Sequence, residues 1–187
     1  DGDCSRPGKS FEFGSDIDAY FDPLVEDFME FYDAEDITPI EVYGNCFNGN
    51  MSLHTVRSAL PHVDTFPGDN QNENPLNDIA FNLNLTKSDK VKTAFYSFNN
   101  KRSICDFTRL DYEDLRTCWN TQKDIRKDKS WFLIDDNYEQ YKLEFIADIE
   151  YNSMILYPSH VWHNSYIKED WFNDEDRITF TGFFEIV

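Results

Sequence analysis

The chain has 187 residues, of which 40% are hydrophobic and 17% aromatic, and it carries a formal net charge of −19 at pH 7. This length fits a single domain, predicted to span residues 1–187, and the aromatic-rich composition excludes a disordered chain. The acidity argues against nucleic acid or an anionic membrane as a partner, and no apolar run of about eighteen residues is present to span a membrane. The four cysteines form no C-x-x-C pair, which favours thiols in a reducing compartment and a cytoplasmic location.

The first 32 residues predict a flexible lead-in followed by helical structure. Residues 1–14 mix Gly, Pro, Ser and charged residues. From Ile17 to Tyr32 the apolar residues recur at helical spacing and predict one packed stripe. Asp22 and Pro23 suit a helix cap and a first-turn proline, so this stretch is expected to contain two helical pieces, the second running from Pro23 to about Tyr32.

Strand-like patterns dominate the rest of the chain. Short apolar or alternating runs separated by turns favour a sandwich or barrel over a parallel α/β sheet. The KSDK sequence at 87–90 predicts a hairpin turn between two of these strands, and residues 106–130 predict a charged helical insertion. The predicted strands are Ile40–Phe47, Leu53–Val63, Ile79–Leu85, Val91–Phe98, Leu143–Ile149, Met154–Tyr157 and Arg177–Val187.

Three of the four histidines lie in two short motifs, HVD and PSHVWH. Residues two apart on a strand share a face, so His62 and Asp64 are expected to converge on one point. His160 and His163 are an odd number of residues apart and face opposite ways, so one of them can join this pair, and His163 is the preferred candidate. Two histidines and one carboxylate suit a non-haem Fe(II) site with open coordination positions.

The last strand carries an unusual polar face. In RITFTGFFEIV, Arg177, Thr179 and Thr181 alternate with apolar residues. A guanidinium flanked by hydroxyl groups is out of place in a core but suits a pocket that binds a carboxylate.

Together these motifs resemble the iron(II)- and 2-oxoglutarate-dependent oxygenases, especially their small prolyl-hydroxylase-like members. The resemblance covers roughly residues 43–187, and its specific part is about a dozen residues. It implies a mainly β fold with bracing helices, the double-stranded β-helix, which is a cupin-like jelly roll. It also implies that His62, Asp64 and His163 hold Fe(II), while Arg177, aided by Thr179, binds the distal carboxylate of 2-oxoglutarate.

The implied activity is that of a dioxygenase that hydroxylates an unactivated C–H bond of an amino-acid-like or peptidyl substrate, a prolyl residue being one candidate, with succinate and CO₂ as co-products. Asp64 favours hydroxylation, because related halogenases lack this carboxylate. Many prolyl hydroxylases have a lysine where Arg177 stands, and the interval from Asp64 to His163 is long for the family, an excess that the insertion at 106–130 accounts for.

Two other interpretations stay open at this point. The first is a non-catalytic jelly-roll module whose acidic surface serves a basic partner, and the second is a zinc hydrolase with the same three ligands, which leaves Arg177 without a role. Further polar residues that could reach the pocket are Asn82, Asn84, Tyr96 and Tyr157. The sequence specifies neither the substrate nor the oligomeric state.

Overall fold

The fold is known from a computed structural model, which describes residues 9–12, 18–48, 61–64, 78–125, 140–168 and 171–186. These residues form two antiparallel sheets and two helices. Helix α1 is Asp18–Tyr32 and helix α2 is Arg109–Ile125. The strands are β1 (Lys9–Glu12), β2 (Ile37–Phe47), β3 (Asp78–Asn84), β4 (Lys92–Phe98), β5 (Tyr141–Asp148), β6 (Met154–Pro158), β7 (His163–Tyr166) and β8 (Arg177–Ile186).

The strand order is that of a jelly roll. The larger sheet has the order β1-β2-β8-β3-β6 and the smaller sheet the order β5-β4-β7. A backbone bridge between His62 and His163 places residues 61–64 beside β7, at the end of the smaller sheet. If residues 61–64 are counted with the smaller sheet, the chain alternates between the sheets from β2 onward, except for the step from β4 to β5, which pair with each other. The predicted jelly roll with bracing helices is therefore confirmed.

Apolar clusters lie on both sides of the sandwich. Phe21 of α1 packs on the larger sheet against Phe81 and Phe184. Leu115 of α2 joins a second cluster on the smaller sheet, which includes Tyr141 and the fully buried Trp162. The helices therefore cover outer apolar faces and leave the space between the sheets for other side chains.

The prediction of a hairpin turn at residues 87–90 is wrong. Strand β3 pairs with β6 and β8, whereas β4 pairs with β5 and β7. The intervening turn therefore carries the chain from one sheet to the other. The chain just before this turn is held by the larger sheet, where the Leu85 N–H group donates to the Ile178 carbonyl over 3.0 Å.

Two further expectations at the N-terminal end need correction. Part of the predicted flexible lead-in forms β1, which pairs with Tyr43–Cys46 because β2 extends far enough to offer a free edge; the rest of residues 1–14 lies outside the described part of the chain. Helix α1 is continuous through Pro23 rather than two pieces. Its apolar stripe is partly exposed, since Phe31 is 78% accessible.

The helix predicted within 106–130 corresponds to α2. Its first turn is capped by Asp111, whose carboxylate accepts hydrogen bonds from the Thr108 backbone and hydroxyl groups and from Lys101. These bonds, that of Lys101 foremost, hold the pKa of Asp111 well below its ordinary value. No helix in the described ranges is long and apolar enough to cross a membrane, and Cys46 and Cys105 are present as thiols.

Candidate metal centre

His62 and His163 face each other across a pair of antiparallel segments. The N–H group of each donates to the carbonyl of the other over 2.9 Å. Directly opposed residues in such a pair project their side chains to the same face, and the two imidazole rings lie with centroids 4.6 Å apart. The backbone pairing therefore brings together two histidines that are a hundred residues apart in sequence.

Asp64 completes the cluster. It follows His62 by two residues and so shares its face, and its N–H group is held by the Ser159 carbonyl at 2.9 Å. Its carboxylate oxygens lie 3.8 Å from His62 Nε2 and 3.3 Å from His163 Nε2. One ligand atom from each residue lies within 4.8 Å of the others, a spacing that can hold a metal ion.

The orientation of the His163 side chain suits coordination of a metal ion. Its Nδ1 lies 3.0 Å from the Val161 carbonyl. Because a carbonyl only accepts, Nδ1 carries a proton, which leaves Nε2, the nitrogen that faces Asp64, as the atom that could bind a metal ion. A histidine ligand held by a backbone carbonyl through its other nitrogen is the usual arrangement at protein metal sites. His160, the alternative candidate, lies in the turn before this strand and outside the cluster.

The cluster opens into a cavity between the two sheets. Its volume is about 50 Å³, several times the ~10–15 Å³ that one water molecule needs. Its lining includes the three cluster residues together with Arg177, Thr179 and Thr181 of β8. The alternation predicted for β8 thus holds: the polar face turns inward, whereas Ile178 is 39% exposed.

Arg177 lies in this cavity as a buried cation. It is 2% exposed, and its Nη1 group donates to the Thr179 hydroxyl over 3.4 Å. Within the described part of the chain, its Nε and Nη2 groups have no hydrogen-bond partner. Burial lowers its pKa to about 10, partly offset by Tyr157. A buried guanidinium with two unused donors is costly unless an anion is bound beside it.

Other polar residues proposed from the sequence divide into two groups. Asn82 and Tyr157 line the cavity. Asn84 does not, because its amide bonds the Ile149 carbonyl and the Thr86 N–H group at 2.7 Å each. Tyr96 packs in the core of the smaller sheet together with Ala94 and Phe98, because alternation along β4 places these three residues on the face turned away from the cavity.

Several cavity residues were missed by the sequence analysis, and the polar ones are Asn45, Thr93, Asn164 and Ser165. Asn45 of β2 lies beside β8 and donates through Nδ2 to the Thr181 hydroxyl over 2.8 Å. The signal was available, since Asn45 is a polar residue inside a predicted strand. His54, a fourth histidine, lies outside the described residues.

The fold and this cluster define a jelly-roll protein with a candidate metal centre. No family model matches the chain, and no curated protein matches it. A solved structure of HygX from Streptomyces hygroscopicus with iron bound is similar over 95% of this chain and 71% of that chain, with a TM-score of 0.48 and 11% sequence identity. We draw no functional assignment from a likeness of this size.

Proposed function

We propose that the protein is an Fe(II)- and 2-oxoglutarate-dependent dioxygenase that hydroxylates an amino-acid-like or peptidyl substrate. The observation that carries the proposal is the shared cavity: a His-Asp-His cluster and a buried guanidinium with two unused N–H donors face the same small space. A metal ion suits the first and a carboxylate suits the second. A small diacid that chelates the metal through one end would satisfy both.

The residues fit the metal proposed for them. His62, Asp64 and His163 would supply two nitrogens and one oxygen, the donor set of non-haem Fe(II) sites, and would leave positions open for other ligands. Bound Fe(II) would supply the redox chemistry, in which one atom of dioxygen enters succinate as 2-oxoglutarate loses CO₂ and the other enters the substrate as a hydroxyl group. The role of Asp64 is to neutralise part of the metal charge, and that of the Val161 carbonyl is to keep His163 in the ligating tautomer.

The co-substrate end of the cavity depends on β8. Arg177 would receive the distal carboxylate through its two unused donors, and the Thr179 hydroxyl lies beside it. Charge-assisted bonds of this kind are among the strongest in proteins. Burial of the guanidinium also excludes water from the carboxylate, which strengthens the interaction.

The test is anaerobic visible spectroscopy with Fe(II) and 2-oxoglutarate. We expect the weak charge-transfer band of the chelate in the wild-type protein. His62→Ala should abolish it by removing a ligand, and Arg177→Met should weaken co-substrate binding. His160→Ala is the matched control, because this histidine belongs to the same motif but lies outside the cluster, and it should keep the band.

The competing functions give different results. A non-catalytic binding module would form no succinate from 2-oxoglutarate, even without added substrate, and a zinc hydrolase would retain zinc and show no band. Absence of the band in folded, iron-loaded protein would contradict the proposal.

A further inference from the structure

A second and larger cavity lies next to the candidate metal centre. It has a volume of about 430 Å³, which is within the usual range for sites that bind small molecules. It opens between β5 and β6, which are edge strands of the smaller and the larger sheet. Most of its lining is apolar, and Arg102 and Glu144 supply the charged groups.

The two cavities meet at one side chain. Tyr157 lines both of them. Its ring lies 4.7 Å from that of His163 and 5.2 Å from that of Phe95, centroid to centroid. A molecule in the larger cavity that touches Tyr157 is therefore separated from a candidate metal ligand by a single aromatic ring.

The larger cavity also has a flat aromatic wall. Phe95 and Phe145 stack with centroids 4.6 Å apart and planes inclined by 13°. Phe145 belongs to β5 and lines the cavity, and 57% of its surface is exposed. An exposed large aromatic residue at the mouth of an apolar cavity is typical of a surface that is covered when a ligand binds.

We propose that this second cavity binds a flat aromatic ring of the substrate, stacked on Phe145, and so places the rest of the substrate beside the metal centre. This inference rests on the proposed oxygenase function and adds the substrate class. The 50 Å³ cavity is too small to hold a co-substrate and a substrate together, so the substrate needs space of its own. The adjoining cavity has the right size and an apolar, aromatic lining.

The rim adds a polar element. Glu144 is held by the Ser97 hydroxyl at 2.8 Å and by Arg102 at 3.3 Å, and these bonds, that of Ser97 foremost, lower its pKa. Arg102 and Glu144 are thus paired with each other, and their opposite charges offset one another at the rim. The preference of this cavity for an aromatic ring therefore comes from its apolar lining and from Phe145.

The experiment uses indole as the probe and isotope-labelled, metal-free protein. Ring-current shifts in the NMR spectrum should centre on Phe145, Phe95 and Tyr157. Phe145→Ala should weaken indole binding about 2- to 12-fold, the range expected for one aromatic pair. Phe145→Leu, which stays apolar but loses the flat face, should also weaken it. Phe31→Ala, the matched control at another exposed phenylalanine, should not.

A second measurement connects the cavity to the metal centre. Mn²⁺ added to the wild-type protein should broaden the signals of bound indole, and His62→Ala should remove most of this broadening. Shifts centred elsewhere, or no binding of indole, would overturn the inference. Indole binding with no Mn²⁺-dependent broadening in a protein that binds Mn²⁺ would also overturn it, because the cavity would not adjoin the metal. Failure of Mn²⁺ itself to bind would instead contradict the proposed function, and the shifts would still decide whether the cavity binds an aromatic ring.

Discussion

Replacing Arg177 by methionine should make the ligand-free protein more stable. The guanidinium is 2% exposed, and two of its nitrogens, Nε and Nη2, have no hydrogen-bond partner in the described part of the chain. Burial lowers its pKa from 12.5 to about 10, which corresponds to roughly 3 kcal/mol because one pKa unit is about 1.4 kcal/mol. This cost is fully present at neutral pH, where the side chain is charged in both states, and it is relieved only as the pH rises above about 10.

Methionine keeps the length of the side chain and removes the charge. By analogy with buried ion pairs replaced by apolar residues, the gain in the free energy of unfolding should be about 1–4 kcal/mol. Urea unfolding followed by tryptophan fluorescence measures it. Arg102→Met is the control, since the exposed ion pair of that arginine should contribute less than about 1 kcal/mol.

The same titration with ligand separates stability from function. With Mn²⁺ and 2-oxoglutarate at a hundred times its dissociation constant, the wild-type protein should gain about 2.7 kcal/mol, and Arg177→Met should gain almost none. If the variant proves less stable than the wild type, Arg177 makes favourable contacts within the fold. If 2-oxoglutarate stabilises both proteins equally, the guanidinium does not bind it.

Three other substitutions test the framework around the site, each by its free energy of unfolding. Asn84→Ala should cost about 1–3 kcal/mol, because the Ile149 carbonyl loses a buried donor. Trp162→Ala should cost about 3–5 kcal/mol, since this side chain is fully buried. Lys101→Met should lower stability at pH 7 and reduce the loss below about pH 4, because Lys101 is the main cause of the lowered pKa of Asp111.

For each of these three substitutions, a specific result would contradict the expectation. An unchanged acid dependence in Lys101→Met would show that the ion pair does not set the titration of Asp111. An Asn84→Ala protein with wild-type stability but impaired co-substrate binding would show that Asn84 contributes to the pocket and not to the framework. A Trp162→Ala protein of normal stability would contradict the placement of this side chain in the core.

Periodicity in the sequence located the inward-facing residues where strands are regular. In β8 every second residue from Arg177 turns inward, because the period of a strand is two. The same rule put His62 and Asp64 on one face. Neither inference required knowledge of the sheets, since both depend on neighbours within one segment.

The same rule shows which residues share a face but not which face turns inward. In β4, Ala94 and Tyr96 share the face that packs in the core, whereas Phe95 lies opposite His163 on the other face. Asn84 shares the strand face of Asn82 by alternation, yet it lies at the last position of β3 and bonds to neighbouring loops. Counting by two therefore assigns faces only within uninterrupted pairing.

The sequence also could not show which distant segments pair with each other. The turn residues at 87–90 suit a hairpin locally, but a turn sequence does not tell whether the next strand pairs with the previous one or crosses to the other sheet. The crossing depends on long-range bonds such as that of Leu85 to Ile178. Strand β1 was missed for the same reason, since its partner residues are 31 to 37 positions away in the sequence.

The crossing of the chain between the sheets brings the His-Asp-His cluster and Arg177 to one cavity. His163 belongs to the smaller sheet and Arg177 to the larger, and packed sheets are about 10 Å apart. A ligand held by a metal at one wall and a guanidinium at the other must bridge this gap, which selects for a molecule with acidic groups at both ends. The two walls belong to different sheets, so a shift between the sheets would alter the fit of the proposed diacid. The proposed binding therefore depends on the packing of the sandwich, and Phe95 and Tyr157, which pack against each other between the sheets, help to maintain it.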